Sequence, residues 1–278
     1  KAVKRVSSCS LQDSFRIIYK AGQWRIHNVS PMHNLRYSTI KLKQYAAKIK
    51  QALATESAIN NHFDVVFEQD NEFRNSKEDA AALIVRIFII NRSTKYSYAG
   101  ILLSWGSVKK LPNATHLPFF LDRGDARISY AVKKSLSLMF DCNIKQYIFS
   151  QQNLLRFGFQ FIELLSNSGK QIGFTYTRMG DINNKLTIEF DIDDIYKIYN
   201  CFQDSPDKRQ QIFQTYQMLQ NQVFHVYQMD IVALDLIEIS LANKVKIKAN
   251  GLISMKTGEA VKSVLDILNE TSNIKKHL

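Results

Sequence analysis

Cysteine, proline and glycine are scarce in this chain, which has 3, 4 and 10 of them among 278 residues. Cys9, Cys142 and Cys201 are odd in number, widely spaced and never paired as C-x-x-C. That excludes a disulfide framework and the usual thiolate zinc centre, and a reducing nuclear or cytoplasmic compartment is expected. The few Pro and Gly residues form no linker, so 21–278 reads as a single domain preceded by a basic arm, Lys1–Lys20, ordered late or only by a partner. Long apolar runs are missing too. The longest, such as Leu83–Val85 and Ile87–Ile90, are a handful of residues against the roughly 20 a bilayer-spanning helix needs. No apolar signal core follows Lys1, so neither secretion nor a membrane partner is expected.

Acidic residues are also in the minority. The chain carries 37 Lys and Arg against 25 Asp and Glu, a net charge of +12. Residues 1–60 hold eleven of the basic residues and only Asp13 and Glu56, so most of the surplus sits there. A single-sign field of this kind favours a polyanion through charge neutralisation and counterion release, and otherwise merely aids solubility. The 45% hydrophobic and 11% aromatic content is that of a folded globular protein.

Periodicity divides the chain into elements. Trp24–Val29 alternates as a strand and ends at Ser30-Pro31. A helix capped by Ser38 or Thr39 follows, with Leu42, Tyr45, Ile49 and Leu53 as its apolar stripe. Lys41 and Lys48 border one flank of that stripe and Lys43 and Lys50 the other, either as snorkelling stems or as polyanion contacts. Asp64–Asp79, with six acidic residues, reads as a hairpin or solvated loop. Leu83–Ile90 and Ser97–Trp105 read as an antiparallel pair joined by a turn at Asn91–Lys95. Leu117–Leu121 is a short apolar segment and Asp122–Asp125 a turn. Helices are predicted over Ala126–Phe140, Gln151–Leu165, Ile192–Phe202, Lys208–Tyr227 and Gly258–Asn269, and strands over Ile172–Arg178, Lys185–Phe190, Asp230–Ser240 and Val245–Ala249. Strands in antiparallel neighbours rather than strict βαβ alternation make the fold class α+β: a mixed, largely antiparallel curved sheet with helices packed mainly on one side.

The constellations that carry catalysis are missing. There is no H-E-x-x-H pair, no G-x-S-x-G elbow, no G-x-x-x-x-G-K-[ST] loop and no G-x-G-x-x-G after a strand, so a non-enzymatic protein with neither cofactor nor metal is expected. Asp191, Asp193 and Asp194 after Glu189 have the composition of a Mg²⁺ cluster, but a helix N-cap uses the same residues in the same place. Arg123-Gly124-Asp125 reads as a turn. Cys142 has apolar neighbours and no recognisable base, which predicts an inert thiol.

Two ordered stretches carry a resemblance. Trp24-Arg25-Ile26-His27-Asn28-Val29-Ser30-Pro31-Met32-His33-Asn34-Leu35-Arg36-Tyr37, followed by Leu42-Lys43-Gln44-Tyr45, resembles the centromere protein L pattern of an aromatic strand, a Pro-containing turn and a helix with Leu-Lys-Glu-Tyr. Leu117-Pro118-Phe119-Phe120-Leu121, and then a helix ending in Phe140-Asp141-Cys142, is similar to a second motif of that family at a similar separation. Val245-Lys246-Ile247-Lys248 looks like the family's terminal hairpin, and 145–205 departs from the pattern. The resemblance implies a non-catalytic inner-kinetochore subunit in the nucleus, at the centromere. It implies pairing with a centromere protein N-like subunit and contact with other inner-kinetochore subunits and with centromeric DNA or the nucleosome; a homodimer is an option for the chain alone, which the sequence leaves open. It further implies that C-terminal strands make the pairing edge, through Ile231, Ala233, Leu234, Leu236, Ile237, Ile239, Val245 and Ile247. Their β-rich composition agrees with a free edge that accepts a partner strand, although the same strands have the option of pairing within the chain. Between Ser240 and Thr257 the only charges are Lys244, Lys246, Lys248 and Lys256. Alternation puts the first three on one face, as a ladder for a phosphate backbone or as edge protection. With Lys41, Lys43, Lys48 and Lys50 they are the nucleic-acid candidates. The alternative function is an independent, sequence-nonspecific nucleic-acid-binding module.

Overall fold

A computed structural model describes residues 15–56, 63–89, 97–106, 112–165, 170–178, 184–241 and 244–274. They form an α+β fold with mostly antiparallel strand pairing. The chain divides into two compact units, one up to Tyr147 and one from Ile148 onward, at a junction that no Pro or Gly marks.

In the first unit, residues 15–19 are helical (α1) and precede β1 (Gln23–Val29). Phe15 and Ile18 are buried, and Trp24 Nε1 donates to the Ile18 carbonyl at 2.9 Å. The expected arm therefore stops short of Lys20, because apolar side chains three apart dock one helical turn against the core; residues 1–14 lie outside the described residues. After β2 (Met32–His33) comes α2 (Thr39–Glu56), then β3 (Phe63–Asp70), β4 (Ala82–Ile89), β5 (Tyr98–Leu103), β6 (Ala114–Thr115), β7 (Phe119–Gly124), α3 (Ala126–Phe140) and β8 (Ile144–Gln146). The strand order is β3-β4-β5-β7-β1, with β8 on the far side of β1, and every pairing is antiparallel. The acidic stretch Asp64–Asp79 is thus half strand and half connection: Phe63, Val65 and Phe67 point into the core while Asp64 and Glu68 point out. Tyr45, Ile49 and Leu53 of α2 and Ile128, Val132, Leu136 and Phe140 of α3 close the core on one face. Asp125 caps α3 by accepting from the Arg127 and Ile128 amides.

The second unit begins with α4 (Gln151–Leu165) and β9 (Gln171–Thr177), β10 (Lys185–Asp191), α5 (Ile192–Asn200) and α6 (Lys208–Tyr227). β11 (Asp235–Leu241), β12 (Val245–Lys248), β13 (Leu252–Met255) and α7 (Gly258–Ile274) complete it. Its strands run β10-β9-β11-β12-β13, all antiparallel, with a bulge between Leu236 and Glu238. One face is apolar: Ile172, Phe174, Tyr176, Ile239, Ile247 and Ile253 are buried. Gly158 lets α4 approach it, since a Cβ there would stand 3.1 Å from Ile239 Cδ1. The Tyr216 hydroxyl of α6 donates to that of Tyr176 at 3.3 Å. Ile212, Tyr216, Leu219 and Val223 of α6 are buried as the spacing predicts, whereas Tyr227, expected in the same stripe, is exposed at the helix's last turn. In α7, Val261, Val264, Leu265 and Leu268 face inward.

Candidate functional site

The two C-terminal strands expected to offer a free edge are interior strands. β11 is hydrogen-bonded to β9 on one side and β12 on the other, and β12 lies between β11 and β13. Their main-chain groups are used within the chain, so they have none to offer a partner strand. Of the residues assigned to that edge, Leu236, Ile239, Val245 and Ile247 are buried core and Ile237 is half-buried. Ile231, Ala233 and Leu234 are not in a strand: the chain turns there, with Leu234 N–H donating to the Ile231 carbonyl, and Ile231 plugs the core below the start of β11. Asp230 drives that turn by accepting from the Val232 amide at 2.9 Å.

The open edge of the unit is β10. Among the described residues it pairs with β9 alone. Its inward side chains Leu186, Ile188 and Phe190 are only half-buried, although their cross-strand neighbours Tyr176, Phe174 and Ile172 are fully enclosed. The first unit's edge strand β3 is different, because Phe63, Val65 and Phe67 are covered and Asp64, Glu68 and Asp70 guard its length. Five large apolar side chains, Phe224, Val226, Tyr227, Met229 and Val232, are also exposed within one short stretch at the end of α6 and the turn after it. Isolated exposed apolar residues are ordinary, whereas a run of this density marks a contact surface.

The lysines separate into two groups. On α2, Lys43, Lys48 and Lys50 are exposed and Lys41 is half-buried, and none takes part in an ion pair of the described residues. On the C-terminal strands the ladder has an acidic counterpart that its own sequence window does not contain. Glu238 of β11 draws Lys246 Nζ to 2.9 Å and Lys248 Nζ to 3.5 Å. Burial, and then the charge of Lys170, hold the Lys244 ammonium below its usual pKa.

The most enclosed polar cluster lies in the first unit and contains a residue that reads as a turn in the sequence. Asp122 of β7 is fully buried. It accepts from Arg25 Nε at 2.8 Å, from His27 Nε2 at 2.9 Å, from the Tyr98 hydroxyl at 3.4 Å and from the Ser129 hydroxyl. Burial works against its ionisation, and the hydrogen bonds from His27, Arg25 and Ser129 outweigh that, holding its pKa at about 2. A Ser, a His and an Asp meet here, but the serine donates to the aspartate and not to the imidazole, so the hydroxyl gains no base. The arrangement cross-links β1, β5, β7 and α3. Its signal in the sequence was Arg25 and His27 two apart on one strand, which places both on the same face.

Other sequence candidates have structural roles. Asp191 caps α5, accepting from the Asp193 amide at 2.8 Å, and Asp194 pairs with Lys197. Among the described residues no group of three His, Cys, Asp or Glu is placed to hold a metal. Burial pushes the Cys142 thiol up to about 11, and its S–H points at the Leu136 carbonyl. No helix of the described residues is long and apolar enough to cross a membrane.

The family model described as Centromere protein L matches residues 20–272. The chain belongs to the centromere protein L family. No curated protein matches it. Centromere protein L is a structural family of the kinetochore, which makes this chain a kinetochore subunit acting at the centromere in chromosome segregation. The two centromere protein L stretches, far apart in sequence, meet in the fold. Ile26, His27 and Asn28 pair with Leu121, Phe120 and Phe119, the Val29 amide donates to the Pro118 carbonyl, and the Ser30 amide donates to the Asn143 carbonyl just past Phe140-Asp141-Cys142. The signature is one structural unit: β1, β7 and the end of α3.

Proposed function

We propose that this kinetochore subunit pairs with a centromere protein N partner by accepting one of its strands on the open edge of β10, and that the pair links centromeric chromatin to the kinetochore in the nucleus. The single observation that carries the pairing is the half-exposed apolar row Leu186, Ile188 and Phe190 on a strand with one neighbour. An added strand would supply the missing main-chain partners and cover that row. Leu236, Ile239, Val245 and Ile247 then contribute as the core that holds β9 and β10 in place, and the exposed α6 end adds apolar contact area. A second copy of the chain takes the same edge when the partner is missing.

Chromatin contact falls to α2, whose exposed Lys43, Lys48 and Lys50 border both sides of its buried stripe, without an ion pair among the described residues, in the part of the chain that holds most of the positive surplus. Other inner-kinetochore subunits meet the remaining surface. Co-expression with the partner tests the reading. Leu186→Asp with Ile188→Asp is expected to abolish co-purification, while Lys43→Ala, Lys48→Ala and Lys50→Ala together leave pairing intact and weaken chromatin association. Undiminished co-purification of the Asp pair sinks the assignment of the edge.

A further inference from the structure

The outer face of the second unit's sheet holds a hollow of about 430 Å³. One transverse row of side chains crosses it from strand to strand. Glu189 is paired with Gly173, Gly173 with Ser240, Ser240 with Lys246 and Lys246 with Ser254, so all five share a face. The middle of the row is small, and the missing Gly173 side chain deepens it: a Cβ there would stand 2.8 Å from Ser240 Oγ. At one end Lys244 and Lys256 are held side by side, because the Lys256 amide donates to the Lys244 carbonyl at 2.8 Å. The charge of Lys170, one residue before β9, also bears on Lys244.

Three of these cations have no ion-pair partner among the described residues, although the Glu259 charge bears on Lys244 and Glu189 lines the hollow. Lys246 leans to Glu238, but Lys170, Lys244 and Lys256 take part in no ion pair of the described residues. Two adjacent ammonium groups repel unless an anion sits between them. We propose that the hollow binds a single phosphate group carried on a phosphorylated serine or threonine of a partner protein. Such a group brings nearly two negative charges and three acceptor oxygens, which Lys244 and Lys256 match as point charges and Ser240 and Ser254 as hydroxyl donors. A nucleic-acid backbone fits less well. Glu189 lines the hollow away from the Lys244–Lys256 end and Glu238 already holds Lys246, so a row of successive phosphates meets carboxylates that one dianion held at the lysine end need not approach. The hollow uses neither the free main chain of β10 nor the α2 lysines, so its failure leaves the pairing reading untouched.

The test passes the full chain over an immobilised degenerate phosphoserine and phosphothreonine peptide library and over the same library unphosphorylated. At least tenfold preference for the phosphorylated library is expected, competed by free inorganic phosphate. Lys244→Ala with Lys256→Ala should remove the preference, and Lys244→Arg with Lys256→Arg should keep it, which separates lost charge from lost fold. Equal retention on both libraries overturns the proposal, as does a preference that survives the alanine pair. Displacement of the peptides by duplex DNA at an equal phosphate concentration also overturns it, in favour of a backbone contact.

Discussion

The two units spend their polar residues in opposite ways. In the first, Trp24, Ile26, Ile84, Ile101 and Leu121 on one face are as buried as Phe67, Val85 and Phe120 on the other. Two buried carboxylates organise polar groups inside: Asp122 gathers His27 and Ser129, and Asp79 accepts from the Asn75, Ser76 and Gly106 amides. In the second, the sheet is apolar on one face only, and the other carries Thr187, Glu189, Ser240, Lys246 and Ser254. A sheet closed on both faces has nothing left to offer except its rim, and its buried polar groups serve rigidity. A sheet closed on one face keeps a polar surface, and here also an unfinished edge, for other molecules. On the reading proposed above, strand pairing falls to the second unit and the buried polar cluster stiffens the first, whose outer helix α2 keeps the basic flank, and these roles are open to measurement.

The largest effect is expected from Asp122→Ala. It leaves Arg25, His27 and Ser129 aimed at a site with no acceptor, and breaking a buried pair from one side costs about 3–5 kcal/mol. Both tryptophans of the chain, Trp24 and Trp105, lie buried in this unit, so intrinsic fluorescence during urea unfolding reads it selectively. A loss below about 1 kcal/mol would mean that the cluster does not organise the unit.

Acid gives a smaller effect at the same place. A carboxylate whose pKa is lower in the folded state than in the unfolded one adds stability above the unfolded value, and that stability fades as pH falls through the folded value. For Asp122 the window runs from its ordinary 3.8 down to about 2, worth about 2 kcal/mol at about 1.4 kcal/mol per pH unit. Between pH 5 and pH 2 the wild-type chain should therefore lose about 2 kcal/mol more, by the same fluorescence readout, than Asp122→Asn. Parallel curves for the two would show that Asp122 ionises no more readily in the folded protein than in the unfolded one.

What the sequence reveals and hides follows the same division. α3, α4 and α6 are legible to the residue because local signals bound them: apolar spacing inside, and Asp125, Ser150 and Asp207 at the N-terminal boundaries. Asp122 reads as a turn because Asp-Arg-Gly-Asp has turn composition, and the groups that make its burial tolerable lie far away on β1 and α3. The same blindness affects the edge. Asp230–Ser240 and Lys185–Phe190 are both plausible strands from composition, but which of them lies at the rim depends on β9 pairing with β11, a choice made across a helix-rich insertion. Lys246 and Lys248 look unpaired for the same reason, since Glu238 meets them only once β11 and β12 are in register.

Glu238→Gln carries the smallest expected effect and probes that register directly. The carboxylate is mostly buried, while Lys246 is about half exposed and Lys248 a third, so solvent screens the pair and its loss should cost no more than about 1 kcal/mol. Peptide-level hydrogen exchange over β11 and β12 is the fitting readout, because a small local change there need not move the unfolding of the whole chain. Slightly faster exchange in 235–248, with no change in 119–124, is expected. The substitution also frees Lys246 and raises the positive charge of the outer face, so a phosphate held in the hollow beside it should bind more tightly rather than less. Weaker phosphopeptide retention in Glu238→Gln would show that Glu238 positions the lysines for the anion instead of competing with it.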